Sequence, residues 1–244
     1  MLAFTVRKYH KWLSLVIGIQ ALLWLASGVY MVVVNLDFIH GDHLVKNEQV
    51  LLPADTHPEV TFTDIQATYP DATSITLKQW IGEPHYQVLG SNSALLVDAV
   101  TGQLRSPLSE ADAIAVALYH YAGEGRVTDA QLFGPGAVPP SEIQTRPLPL
   151  WQINFDDFGN TSFYVSPDLG NLVTRRHTFW RIFDFVWMLH IMDYQDRSDV
   201  NNNLFRVAAT LGVTMSIFGM WLLYFSFRKT SRDKRSTDRK RVST

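Results

Sequence analysis

WLSLVIGIQALLWLASGVYMVVV, residues 12–34, and VAATLGVTMSIFGMWLLYFSF, residues 207–227, decide the architecture of this 244-residue chain. Neither contains a charged residue. A membrane span needs about 20 apolar residues to cross a hydrocarbon core roughly 30 Å thick, and both stretches are long enough. In lipid such a stretch is helical, because no water is there to satisfy open backbone groups. The chain therefore reads as a membrane protein whose two spans, 12–34 and 204–227, flank one large domain. A cleaved signal peptide competes for the first stretch, with LASG at 25–28 as the cleavage-like site. The apolar run continues through VYMVVV, too long for a signal-peptide core, so an uncleaved signal anchor is expected.

Charge orients the chain. The first stretch is preceded by Arg7, Lys8 and Lys11 with no acid, and residues 228–244 carry eight Lys/Arg against two Asp, net +6. The segment 35–203 carries nine Lys/Arg against 21 acids, net −12. Basic residues near span ends stay cytoplasmic, which places residues 1–11 and the tail 228–244 in the cytoplasm and the large domain on the far side of the membrane. The tail reads as a disordered segment held near anionic headgroups; nucleic-acid binding is its rival reading and is not expected. With no cysteine, disulfides, thioether-attached haem, iron–sulfur ligation, a lipidated N-terminal cysteine and thiolate catalysis are excluded.

Between the spans the pattern is α+β and repeats once. TFTDIQATY (61–69) reads as a short helix ended by Pro70, followed by the strands SITLKQWI, HYQVLG and ALLVDAV. A second helix starts at Ser109, an N-cap residue with Glu110 and Asp112 in its first turn. RVTDAQLF, LPLWQINFD and TSFYVS are strands again, and the Pro/Gly-rich stretch 134–147 is a loop between two of them. Each unit closes on a turn glycine, Gly102 and Gly170, 68 residues apart. Two helix-plus-antiparallel-sheet units are expected, about 55–105 and 106–176, within a domain 35–176. HTFWRIFDFVWMLHIMDY (177–194) is aromatic but carries Arg181, Asp184 and His190, so 177–203 reads as an interfacial helix and connector. An Arg181–Asp184 pair is expected on that helix, and the run Asn201–Asn203 as the cap of the second span.

His10-Lys11-Trp12 at the start of the first span, Ser27-Gly28 near its far end, Leu189-His190 before the second, and the D-x-x-T-G ending at Asp98–Gly102 resemble PepSY-associated transmembrane proteins. The likeness covers most of the chain except the tail. It implies two PepSY-like units in the extracytoplasmic domain. It also implies a function in an inner-membrane electron-transfer or metal- or siderophore-reduction system using haem or flavin. This chain has two spans where such proteins commonly have four, so it is expected to be an accessory subunit and not a stand-alone enzyme.

Histidine is the nitrogen ligand type present for a soft metal or haem. His40 and His43 follow the first span and His190 precedes the second, so these three are the haem b candidates on the outer face, with Asp193 or Asp42 to hold the second ring nitrogen. His10 matches the first histidine of the family pattern. It lies across the membrane from His190, about 30 Å away, and needs a partner from another chain. The competing reading of all four is an interfacial histidine bonded to headgroups, water or backbone. No catalytic arrangement is visible, with no HExxH, P-loop or GxGxxG. Asp156-Asp157 reads as a hairpin connection, with a weak divalent-cation site as its alternative. Gly28, Gly212, Ser216 and Gly219 are small enough for close helix packing within the chain, in a homo-oligomer or in a larger membrane complex. Against the redox reading stand a non-redox module that binds or inhibits a periplasmic protein such as a peptidase, and a membrane scaffold.

Overall fold

The computed structural model describes residues 2–46, 52 and 56–221, with backbone only for 2–10 and Leu13. The basic tail and residues 222–227 of the second apolar stretch lie outside the described residues. The chain forms two compact units, residues 34–183 and residues 1–33 with 184–244.

The first of these is α+β, built from a helix and an antiparallel sheet used twice. After a short helix α2 (Leu36–His40), helix α3 (Phe62–Thr68) precedes strands β1 (Ala72–Trp80), β2 (Glu83–Gly90) and β3 (Ala94–Asp98). Helix α4 (Glu110–His120) precedes β4 (Val127–Phe133), β5 (Leu150–Phe155), β6 (Ser162–Val165) and β7 (Leu172–Arg176). Both sheets run in sequence order. Both helices start with the same device. The hydroxyl of Thr61 or Ser109 accepts from the amide three residues on, and the carboxylate of Asp64 or Asp112 accepts from the cap amide, satisfying two otherwise open donors.

The likeness extends to single hydrogen bonds. Both first strands carry a register shift near their start, between Ala72 and Ser74 and between Val127 and Asp129. In the closing turns Gly102 N donates to Asp98 O and Gly170 N to Ser166 O, both 2.9 Å. Beyond each turn the chain pairs back, Leu104 with Val97 and Leu172 with Val165. The position of Asp98 is thus taken by Ser166, as the 68-residue spacing of the closing glycines implies. Tyr86 pairs with Val97 as Trp151 pairs with Val165, which makes β2 the counterpart of β5.

Period-two alternation puts Tyr86 and Val88 under α3, where Ile65, Val97 and Ala99 complete a buried cluster. The opposite face of the first sheet contributes Leu96 and Trp80 to a second cluster built on Ala113, Val116 and Ala117 of α4 and on Ile153, Phe163 and Val165. The long loop between β4 and β5 is pinned by Ile143, fully buried beside Phe133, Leu150 and Tyr164.

The other unit holds α1 (Leu2–Val33), the second half of α5 (Thr178–Ile191) and α6 (Asn203–Trp221). Within α1 and α6, Ser14–Val33 and Asn203–Trp221 are long and apolar enough to cross a membrane. Asn202 Oδ1 accepts from Phe205 N at 2.8 Å and caps α6. The expected Arg181–Asp184 pair does not form. Arg181 instead binds Glu142 and Asp184 binds Arg197, because tertiary partners give each charge a better-placed fork than one helical turn offers.

Candidate functional site

In the helical unit the chemistry gathers on one stripe of α1. Gln20, Trp24 and Ser27 recur at helical spacing and share a face. Ser27 is buried, and its Oγ lies 2.6 Å from Leu23 O and 2.8 Å from His190 Nδ1. A serine hydroxyl has one proton, and the Leu23 carbonyl can only accept it. Ser27 Oγ then accepts from His190, so that in the neutral ring Nδ1 carries the proton and Nε2 keeps its lone pair. Trp24 Nε1 donates to His190 O at 2.8 Å and fixes the backbone of the same residue. The amide nitrogen of Gln20 is buried without a hydrogen-bond partner.

Gly28 belongs to this site. A Cβ there would sit 3.8 Å from His190 Cε1, an ordinary contact. A Cβ on Gly212 would meet Trp24 of the same chain at 3.8 Å, and Gly219 has nothing within 4 Å. Ser216 Oγ donates to Gly212 O within its own helix. The carboxylate expected behind His190 is a hydroxyl instead. Asp193 accepts from the amides of Gln195, Asp196, Ser198 and Asp199, and Asp42 pairs with Arg175.

The remaining histidines lie in the α+β unit, except His10, whose side chain lies outside the described residues. His40 ends α2, is exposed, and its carbonyl accepts from Arg175 Nε at 3.0 Å. His43 stacks on Phe38 with ring centroids 4.7 Å apart and meets the edge of His177 at 5.7 Å. With Phe158, Phe179 and Asp157 they line a cavity of about 650 Å³. His177, 2% exposed, donates from Nε2 to Phe38 O and Ile39 O at 3.1 and 3.0 Å. Burial pushes its pKa below 6.5, helped by the positive neighbours His43 and Arg181 and opposed by the two carbonyls.

Asp156 and Asp157 prove to be structural. Burial would raise Asp157, but bonds from Thr161 Oγ, Thr161 N and Tyr121 OH hold it below the usual carboxylate range. Its neighbour Tyr121 is pushed up to about 12, by burial first and then by Asp157. Asp156 accepts from Arg126 N. Both oxygens of Asp157 and Oδ1 of Asp156 are thus occupied by protein donors.

These shifts give a pH dependence with a definite sign. The unfolded chain protonates His177 near 6.5 before the folded chain does. Stability is therefore complete above that pH and declines as the pH falls below it. Asp157 adds a second loss as the pH falls below 3.8 toward its folded value. Thermal melting at pH 7.5 and 5.0 is expected to show a lower midpoint at pH 5.0, and His177→Gln to shrink that difference. An unchanged difference in the variant would assign it elsewhere.

Sequence reading singled out His190 but not its partner. Ser27 and Trp24 face a residue more than 160 positions away, and the visible signal was only a polar pair recurring in an apolar stretch. Comparison with protein-family models, with curated proteins and with solved structures finds no match to this chain.

Proposed function

We propose that the chain is an accessory subunit of an inner-membrane electron-transfer or metal- or siderophore-reduction system in bacteria, with α1 and α6 crossing the membrane and His190 as a ligand of haem b. Residues 35–176 then form the periplasmic domain, made of two PepSY-like units, and both termini are cytoplasmic. The membrane part is supported by the apolar surface of the two helices. Val16, Leu22, Leu25 and Val32 of α1 are 68%, 67%, 68% and 86% exposed, and Val213 and Met220 of α6 are 61% and 63% exposed. A continuous apolar surface of this kind is stable in lipid and not in water.

The observation that carries the haem reading is the 2.8 Å contact between Ser27 Oγ and His190 Nδ1, from which the tautomer of His190 is assigned. Ser27 holds the proton on Nδ1, and a ligating histidine needs its other nitrogen held in this way. His190 Nε2 is therefore the donor that would hold a haem iron. When bound, haem supplies one-electron transfer. Ser27 then acts by keeping Nδ1 protonated and the ring from turning, and Trp24 by anchoring the His190 backbone.

The test is purification in mild detergent after expression with haem supplied, followed by absorption spectra before and after dithionite. A Soret band with sharp reduced α and β bands, lost in His190→Ala, is expected. Ser27→Ala keeps the ligand but frees the ring, and haem affinity is expected to drop by about 10–100-fold. A colourless protein of native helix content would sink the reading. A non-redox module that binds or inhibits an envelope protein is favoured by the edge strands β1 and β4, which can pair with an extended segment of a partner. On that reading residues 34–183 alone retain partner binding.

A further inference from the structure

The most telling group outside the helical unit is His85. It is 1% exposed, and its Nε2 is buried with no hydrogen-bond partner. Nδ1 lies 3.3 Å from Glu83 O, which can only accept, so in the neutral ring Nδ1 carries the proton and Nε2 keeps its lone pair. That lone pair faces Asp98 Oδ2 at 3.8 Å. The separation is too long for a shared proton. Two acceptors facing each other across a gap repel unless a cation lies between them, and bonds of about 2.0–2.2 Å from each atom to a metal span such a gap with a bent N–metal–O angle.

A third ligand stands beside them. His85 is the register partner of Asp98, and Glu83 lies two residues earlier on the same strand, so all three side chains share one face. One ligand atom from each lies within 4.8 Å of the others. Asp98 is already oriented, since its Oδ1 accepts from Val100 N and Thr101 N at 2.8 and 2.9 Å and leaves Oδ2 toward His85.

The second repeat shows that the fold itself does not ask for these residues. By register, the counterparts of Glu83, His85 and Asp98 are Leu148, Leu150 and Ser166. Leu150 is 2% exposed in an apolar cluster, and Ser166 Oγ alone serves the closing turn by accepting from Leu169 N. A buried, half-satisfied histidine facing a carboxylate in one repeat, where the other repeat has a leucine, is costly without a ligand.

We infer that Glu83, His85 and Asp98 form a binding site for one divalent transition-metal ion in the first repeat. One imidazole and two carboxylates suit zinc, manganese or iron(II) over calcium or magnesium, whose ligands are all oxygen. Two carboxylates also neutralise a divalent ion, as burial requires. Glu83 is exposed and gives access from solvent, while Trp80, His85 and Gln87 line an adjoining cavity of about 710 Å³. Lys78, the register partner of His85 on β1, is the exposed competing cation. The site is independent of haem.

The experiment uses the full chain in detergent, stripped with a chelator and titrated with Zn²⁺ by calorimetry and with Co²⁺ by visible absorption. One equivalent is expected, with a ligand-field band for Co²⁺ and a raised melting midpoint with Zn²⁺. His85→Gln and Asp98→Asn are each expected to weaken binding at least tenfold and to abolish the rise in midpoint. Exposed changes keep the test decisive if those variants fail to fold: Glu83→Gln should weaken binding several-fold and Lys78→Gln should strengthen it. Absence of a stoichiometric site, or binding that Glu83→Gln and Lys78→Gln leave unchanged, overturns the inference.

Discussion

Glu142→Ala is expected to destabilise the α+β unit by about 2–3 kcal/mol, the loss that follows when the acceptor of a buried hydroxyl and of a half-buried guanidinium is removed. Glu142 sits in the long loop between β4 and β5 and holds two groups from elsewhere. Arg181, in the first half of α5, donates from Nε to Oε2 at 2.5 Å and from Nη2 to Oε1 at 3.0 Å, a two-pronged bond to one carboxylate. Tyr164 on β6, fully buried, donates its hydroxyl to Oε1 at 2.5 Å. Burial first, and then Glu142, push the Tyr164 pKa up, so the phenol stays a donor at every physiological pH. Truncation strands the phenol and leaves the guanidinium only Asn160 O and Ser162 Oγ as acceptors. Glu142→Gln keeps an acceptor for Tyr164 and is expected to cost about half as much. The measurement is urea unfolding followed by tryptophan fluorescence, with Arg181→Met as the second arm of a double-mutant cycle. A loss below about 1 kcal/mol for Glu142→Ala would show that water replaces the carboxylate.

Gly170→Ala is expected to cost about 2–4 kcal/mol, clearly more than Gly102→Ala at the equivalent place in the first repeat. Both glycines have left-handed backbones, φ +66° and +72°, so an alanine at either is strained by about 1–2 kcal/mol. Their surroundings differ. A Cβ on Gly102 meets only Val60 Cγ2, at 3.3 Å, whereas one on Gly170 would lie 2.9 Å from Leu96 Cδ2 and closer still to Trp80 Nε1. Trp80 cannot retreat freely, because its Nε1 donates to Gly170 O at 2.9 Å and the ring belongs to the α4 cluster. Gln87 Nε2 adds a bond to Leu169 O at 3.1 Å, so the closing turn of the second repeat is stitched onto the first sheet. Equal losses in the two variants would mean that Trp80 gives way without cost.

The local elements were legible because local rules govern them. Ser109 and Asp112 announce the start of α4, alternation marks β2 and β5, and the closing glycines mark two left-handed turns. Asp168 is the conspicuous acid in SPDLG, but the spacing of the closing glycines sets Ser166 opposite Asp98, and the bond from Gly170 N to Ser166 O agrees. Arg181 and Asp184 looked paired because helical spacing is all that a sequence displays, and their partners lie 39 and 13 residues away.

By itself the sequence determined the two apolar stretches, the α+β pattern and its repetition, since each depends on composition and periodicity within a window of neighbours. Tertiary structure alone decided the chemistry. It set Ser27 against His190 and so chose which ring nitrogen keeps its lone pair, and it placed Asp98 across from His85 so that a buried imidazole faces a carboxylate. A proton or a lone pair is assigned by a bond to a distant atom, and distances between atoms far apart in the chain are created only when it folds.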